Sequence, residues 1–362
     1  SNIFSKRNIK CGRSCVVHIH ASTRAPRTLW MKVRSQDWWE RIVMMEFTDS
    51  DWRDNFRMSL QSFTKLCQMM ERVMEPCEIT VHAPVPLGMR VAIVLYKLAN
   101  CAEYRVIGNQ FGVHKSIMKK MVYLFCHGIV DSVIRKLIRV CNLDHEFVFI
   151  KTLFLFIGCV DESRIPCLPP SDGYRDFINR KGWPSYVLQA VCDDKYCFWN
   201  VSCKMPGSAH DANALKQSDL FRNAHLLPKV GYIEGQHVDF FLLGDPAFPL
   251  MPWLMKGYLQ SPRLTPQKES FNVYLSSART SIEIAFGRLK SRFRVLFKRS
   301  DFHFTFTTCM VATCCALHNF CEMEKEHANP RWAEEAASVG RQFPQGVFFV
   351  RSSTVYLLPV SV

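Results

Sequence analysis

The chain has 362 residues, of which 48% are hydrophobic and 22% charged, enough apolar material for a packed core and too much for wholesale disorder or a disulfide miniprotein. Lys plus Arg number 46 against 32 Asp plus Glu, and the resulting net charge of +14 favours an anionic partner such as nucleic acid. Sixteen cysteines scattered from Cys11 to Cys321 without a regular framework fit a reducing compartment better than secretion.

At about 150 residues per domain, the length predicts two domains or one large domain with a helper. Residues 1–50 read as an N-terminal arm. No signal-peptide pattern opens it, and Ser1 in place of an initiating Met reads as a truncated start. Within the arm, Cys11, Cys15, His18 and His20 are candidate zinc ligands, but their spacing matches no finger and no second pair completes one. The longest apolar stretch, Phe147 to Val160, is broken by Lys151 and is too short to cross a bilayer, so no membrane span is expected.

Residues 51–140 read as helical. From Trp52 to Glu75 the apolar positions Phe56, Leu60, Phe63, Leu66, Met69 and Met70 recur mostly at steps of three and four, and Pro76 stops the pattern. Three further helices fit the spacing after Pro86, the last beginning near Ser116. Between the final two lies Phe111-Gly112-Val113-His114-Lys115-Ser116, a short glycine turn of the kind found in a helix-turn-helix. In such a unit the second helix offers its N-terminal residues to DNA, here His114, Lys115, Ser116, Lys119 and Lys120. An ordinary helical hairpin with a lysine-rich solvent face gives the same pattern. Residues 88–140 hold nine basic side chains against Glu103 and Asp131, and residues 251–300 hold ten against Glu269 and Glu283. Solvated helix faces would account for either segment alone, and both together favour phosphate contact.

The centre of the chain carries the acids. Phe154 to Val160 reads as a buried strand that ends at Asp161. Tyr186 to Val191 and Cys197 to Cys203 read as an antiparallel hairpin around the turn Asp193-Asp194-Lys195. Met205-Pro206-Gly207-Ser208-Ala209-His210-Asp211 then leads into a short helix from Ala212 to Ser218, with Asp211 at its entrance. Phe240 to Gly244 is a second apolar run ending in an acid, Asp245. Ser276 to Leu296 reads as a long basic helix on which Glu283 is the sole acid.

Each acid has an ordinary explanation: Asp favours strand-ending turns and helix caps, and Glu283 lies four residues from Arg279. Their repetition points instead to convergence at one edge of a sheet. Magnesium is held by one or two carboxylates with waters and phosphate oxygens, so the expected cofactor is Mg²⁺ or Mn²⁺ and the expected chemistry is on phosphodiesters. Tyr174, Arg180, Lys181 and Trp183 mix aromatic and basic groups that could stack on an unpaired base and hold phosphates, or simply pack as a loop on the sheet. Arg288 and Arg292 on the long helix count with them as candidate DNA contacts. Cys309, Cys314, Cys315 and Cys321 read as core thiols, and His318 as a hydrogen-bonded structural residue.

Six segments in this order resemble one family. They are Gly158-Cys159-Val160-Asp161, Tyr174-Arg175-Asp176-Phe177-Ile178-Asn179-Arg180-Lys181-Gly182, Pro206-Gly207-Ser208-Ala209-His210-Asp211, Leu243-Gly244-Asp245, Ser281 to Lys290, and Leu317-His318-Asn319-Phe320. Between about Asp51 and Trp332 the chain is similar to the PIF/Harbinger transposases and Harbinger-derived nucleases. The resemblance implies an α/β fold: an RNase H-like mixed-sheet DDE catalytic core over residues 151–325, preceded by the all-α helix-turn-helix region and followed by a tail over 326–362. It implies Asp161, Asp245 and Glu283 as a catalytic, metal-binding triad, with Asp211 as an additional metal-site acid. It further implies DNA as substrate, cutting with or without strand transfer, a Myb-like DNA-binding partner protein and a nuclear location. Lys298-Arg299 and Ser5-Lys6-Arg7 are poor import signals by themselves.

Departures are also visible. The first Asp is followed by Glu162-Ser163-Arg164, where the family has Gly, then Ser or Thr, then His. Arg164 could oppose a metal ion or contact phosphate, and Glu162 could offset its charge. The stretch Cys141 to Phe156 and the tail from Phe343 are unlike the family. The alternative reading is therefore a catalytically inactive, transposon-derived DNA-binding protein.

Overall fold

The structure, a computed structural model, describes residues 35–75, 84–139, 156–227, 231–233, 236–259, 261, 263–299, 302–332 and 334. The zinc candidates Cys11, Cys15, His18 and His20, the expected stop at Pro76, the stretch 141–155 and the tail from Phe343 lie outside these residues.

The stretch expected as one helix from Trp52 to Glu75 is two, α1 (Asp49–Phe56) and α2 (Leu60–Met74). Arg57 adopts left-handed backbone (φ 68°) and ends α1, while the Ser59 hydroxyl accepts from the Ser62 N–H to open α2. Both helices bury the same kind of face, so apolar spacing alone does not reveal the break. Ahead of α1, Trp38–Glu46 coils as a wide π-type helix that the sequence did not predict.

Helices α3 (Leu87–Asn100), α4 (Tyr104–Gln110) and α5 (Lys115–Gly128) follow as the spacing predicts. The α4–α5 turn needs glycine at position 112: its φ is +66°, and a Cβ there would lie 2.4 Å from the Ser35 carbonyl oxygen. Trp38, Trp39, Trp52, Phe56, Phe63 and Phe111 interlock beneath the turn, with ring centroids 4.9 Å apart for Trp38 and Phe111 and 4.8 Å for Trp52 and Phe63. The chain continues through Ile129–Val133 into α6 (Ile134–Leu137).

The sheet is mixed. Strand β1 (Phe156–Pro166) pairs antiparallel with β2 (Ser185–Cys192), which pairs antiparallel with β3 (Phe198–Pro206). Two helices follow, α7 (Asp211–Gln217) and α8 (Asp219–Arg222), then a separate hairpin of β4 (Gly231–Ile233) and β5 (Gln236–Val238). Strand β6 (Phe241–Gly244) runs parallel to β1, and β7 (Leu254–Lys256) parallel to β6, giving the order β3-β2-β1-β6-β7. Strand β1 does not end at Asp161 as expected. Its polar continuation stays extended because β2 still pairs with it from Asp161↔Ala190 to Pro166↔Ser185.

Helix α9 (Pro266–Arg292) starts well before the expected Ser276, with the Thr265 side chain accepting from the Lys268 N–H and Pro266 in the first turn. Its first turns are largely exposed and carry no apolar stripe, so periodicity finds only the second half. Helix α10 (Phe304–Met323) is long and apolar enough to cross a membrane, but the fold buries 72% of its apolar window. It packs on β3, α5 and α6, with Met310, Cys314, Cys315, Leu317 and Cys321 fully buried. Its cysteines are core thiols, and burial pushes Cys315 up to about 12.

One apolar core joins the N-terminal helices, α9, α10 and one sheet face, and a smaller core with Trp199, Leu215, Leu220 and Phe248 lies on the other face. The basic segments are not simply solvated faces. Lys97, Lys290 and Arg292 are buried: Lys97 Nζ donates to the Ala102 carbonyl at 2.9 Å, and Lys290 Nζ to the Arg164 carbonyl at 3.0 Å.

His318 is fully buried and its Nε2–H donates to the Tyr196 carbonyl at 2.9 Å, which fixes the tautomer with Nδ1 bare. Burial lowers its pKa to about 4, with Glu322 opposing and Arg292 reinforcing the shift. The unfolded chain therefore binds this proton more tightly, and stability falls as pH drops from about 6.5 to about 4, by roughly 3 kcal/mol at 1.36 kcal/mol per pKa unit. Urea midpoints measured across that range should fall less steeply for His318→Gln than for wild type. Parallel profiles would show that His318 is not buried neutral.

Candidate active site

The site forms where two parallel strands part. The β1–β6 pairing closes at Val160↔Gly244, so the next residues, Asp161 and Asp245, leave the ladder side by side. Asp245 accepts from the Ala247 N–H at 2.6 Å, and Asp161 Oδ1 from the Glu162 N–H at 2.7 Å, which orients both carboxylates. Across them lies Arg279 on α9. Its Nη2 is 3.2 Å from Asp161 Oδ2 and 3.6 Å from Asp245 Oδ2.

Arg279 is the site residue that sequence reasoning missed. It stands four residues before Glu283, which reads as a helix-stabilising pair, whereas the guanidinium reaches across to the two aspartates. Burial pushes Asp161 up to about 6. The Arg279 charge works against that shift, while Asp245 and Glu283 add to it. Glu283 is thus close enough for its charge to be felt at Asp161.

Two carboxylates converging on one positive centre are a donor set that a hard divalent ion accepts when water and phosphate oxygens complete its shell. Asp161 and Asp245 fit that role, with Glu283 as the neighbouring charge. Among the described residues, no three acid, histidine or cysteine side chains converge on a single point.

Asp211 is not brought to this group. Strand alternation turns Asp161 toward α9 and turns Glu162 and Arg164 toward α7. There Arg164 bridges Glu162 (Nη1 to Oε2, 3.1 Å) and Asp211 (Nη2 to Oδ1, 3.2 Å) and donates to the Ala209 carbonyl. Burial pushes Glu162 up to about 9, and its hydrogen bond and like charge with Asp211 add to the rise. The cation at position 164 is thus neutralised on the far face rather than aimed at Asp161 and Asp245.

The segment from Tyr174 to Trp183 flanks this second cluster. Tyr174, Arg180 and Lys181 are exposed, and Arg180 Nη2 donates to His210 Nδ1 at 2.7 Å. Trp183 is buried, so it does not offer a free stacking face. Buried Asn179 folds the loop: its Oδ1 accepts from the Lys181 N–H and its Nδ2 donates to Ser185 Oγ. Gly207 is required by close approach, since a Cβ there would lie 2.5 Å from the Phe177 carbonyl oxygen.

His114, Lys115, Ser116, Lys119 and Lys120 are all exposed around the start of α5, where the His114 ring accepts from the Ser116 N–H. Arg292 corrects an expectation: it is fully buried, donating to the Arg57 and Glu326 carbonyls and pairing with Glu322 at 3.3 Å, so it presents nothing to DNA. Arg288 is partly exposed, paired with Glu322 at 2.8 Å, and lies over the Tyr196 ring.

Residues 160–319 match the family model described as DDE superfamily endonuclease. The chain is 28% identical over 291 residues to an ALP1-like protein of Arabidopsis thaliana, covering 73% of this chain and 69% of that protein. It is 25% identical over 314 residues to the Bos taurus protein named "Putative nuclease HARBI1", covering 83% and 86%. The Homo sapiens protein of that name is 25% identical over 315 residues, with the same coverage. No solved structure matches the chain significantly.

Proposed function

We propose that the chain is a divalent-metal-dependent DNA endonuclease that hydrolyses phosphodiester bonds. The observation that carries this reading is the convergence of Asp161 and Asp245 on one cationic centre, beside Glu283, where β1 and β6 separate. The strand order, with three antiparallel strands followed by two parallel ones, supports an RNase H-like core.

When bound, a Mg²⁺ or Mn²⁺ ion supplies an activated water and neutralises charge on the leaving oxygen. The protein's own contribution is positional. Asp161 and Asp245 would hold the ion and Glu283 would add to the negative charge around it, while Arg279, which bridges the two aspartates here, would yield that place to the ion and turn its charge to phosphate oxygens. The exposed basic start of α5 docks DNA in the manner of a recognition helix, and Arg180 and Lys181 meet the backbone nearer the sheet. Strand transfer, a Myb-like partner protein and nuclear residence belong to the same reading.

The test is cleavage of labelled DNA with Mg²⁺, Mn²⁺ or EDTA by wild type, Asp161→Asn, Asp245→Asn and Glu283→Gln. Cutting by wild type alone, and only with metal, is expected. Equal cutting by all four proteins would remove these acids from the mechanism.

A second reading, an inactive DNA-binding protein, is favoured by one observation: Arg279 already neutralises the aspartate pair. It calls for DNA affinity that falls with salt at a log-log slope of about −0.9 per phosphate contacted, without metal-dependent cutting. Binding of Mn²⁺ to the purified protein separates the two.

A further inference from the structure

The half of α9 that precedes Arg279 carries groups that the reaction centre does not use. At 3.6 residues per turn, Lys268, Asn272, Arg279 and Glu283 fall within one stripe of the helix. The face bearing Arg279 and Glu283 thus continues through Asn272 to Lys268, eleven residues from Arg279, or about 16 Å at 1.5 Å per residue.

The chain leaving β7 is fastened to that stripe. The Tyr258 N–H donates to Asn272 Oδ1 at 2.8 Å, and Asn272 Nδ2 donates back to the Tyr258 carbonyl at 3.0 Å. The Tyr258 ring meets Phe271 edge-on with centroids 5.5 Å apart, and the Lys268 ammonium lies 5.0 Å from its centroid. With its backbone and two sides of its ring engaged, Tyr258 is still 48% exposed. Its position relative to the acids is set by the sheet. Lys256 pairs with Gly244, the residue before Asp245, and Lys256 Nζ donates to the Pro246 carbonyl at 3.1 Å. Between Asp245 and Glu283 the sequence holds Lys256, Arg263, Lys268 and Arg279 against the single acid Glu269.

We infer that Tyr258, Lys256 and Lys268 form a subsite for an unpaired DNA segment flanking the phosphate that is cut. The inference rests on the nuclease reading above and names the form of its substrate. One base stacks on the open part of the Tyr258 ring, while the two ammonium groups take phosphates on either side. A pinned, exposed aromatic between cations suits a single strand, because every base has a π-face and the backbone supplies the charge. A protein interface would favour an apolar centre poor in lysine. At 3.4 Å per stacked nucleotide, the 16 Å from Arg279 to Lys268 corresponds to roughly five nucleotides beyond the cut.

The experiment measures equilibrium binding of the full chain, in EDTA, to a blunt duplex and to the same duplex with a six-nucleotide single-stranded tail. Tyr258→Ala is expected to weaken binding of the tailed DNA about tenfold and leave the blunt duplex unchanged, with Tyr258→Phe retaining wild-type affinity. Lys268→Gln, an exposed change that leaves the ring in place, is expected to flatten the salt dependence for tailed DNA by about 0.7 in log-log slope. Equal losses on both substrates, or no loss on either, would overturn the subsite; the latter is the result for a surface that takes a protein. Because no metal is present, this outcome is independent of cleavage. The nuclease reading fails separately, if wild type with Mn²⁺ cuts neither DNA.

Discussion

Asp161→Asn is expected to slow metal-dependent DNA cleavage by about 10³-fold, roughly 4 kcal/mol of transition-state stabilisation, while raising the melting temperature of the metal-free protein. The first effect follows from removing one of two carboxylates that meet at a common cationic centre. The second follows from burial, which pushes the Asp161 carboxyl from the usual 3.8 up to about 6 despite Arg279 beside it. The folded protein holds this proton more tightly than the unfolded chain. Stability is therefore highest with Asp161 protonated and is lost as pH rises from about 4 through about 6, so the cost stands in full at neutral pH. A neutral amide removes that cost at the expense of part of the Arg279 contact, for a net gain of about 2 kcal/mol. Added Mn²⁺ should raise the melting temperature of wild type and not of the variant, since a ligand stabilises only a fold that binds it. Undiminished cleavage would remove Asp161 from catalysis. A lower melting temperature in EDTA would make it a structural acid whose pairing with Arg279 outweighs its burial.

The two aspartates were legible because each follows a short apolar run: either alone reads as an ordinary strand-ending turn, and it was the repetition that pointed to a shared site. That they stand side by side was not legible, since it depends on the parallel register Val160↔Gly244 across an intervening crossover. Arg279 was hidden by its spacing from Glu283, which local rules read as a helix pair. Asp211 was drawn into the site by motif order, yet strand alternation sends its partner Arg164 to the opposite sheet face. Charge totals misled in a related way. Lys97, Lys290 and Arg292 counted toward a basic surface, and each is buried against backbone carbonyls. Net charge reports what the chain contains rather than where the side chains point.

Asn319→Leu is expected to destabilise the fold by about 3 to 5 kcal/mol, the range for a buried polar group serving several partners at once. Asn319 lies on α10 and is almost fully buried. Its Oδ1 accepts from the Phe198 N–H at 2.8 Å, while its Nδ2 donates to the Phe198 carbonyl and, at 2.8 Å, to the Leu137 carbonyl. Strand β3 is the sheet's outer strand on that side, so the side-chain amide pairs with Phe198 as a neighbouring strand would. The same amide ties the end of α6 to the sheet, joining the N-terminal helices to the strands that carry the acids. Leucine matches the volume but leaves three backbone groups buried without these partners. Asn319→Asp keeps the shape and the Oδ1 contact while losing both donations and adding a charge, so it should be at least as damaging. Urea unfolding of the three proteins measures this directly. A loss below about 1 kcal/mol for Asn319→Leu would mean that water or relaxation replaces the amide, and that apolar packing alone holds α10 to β3.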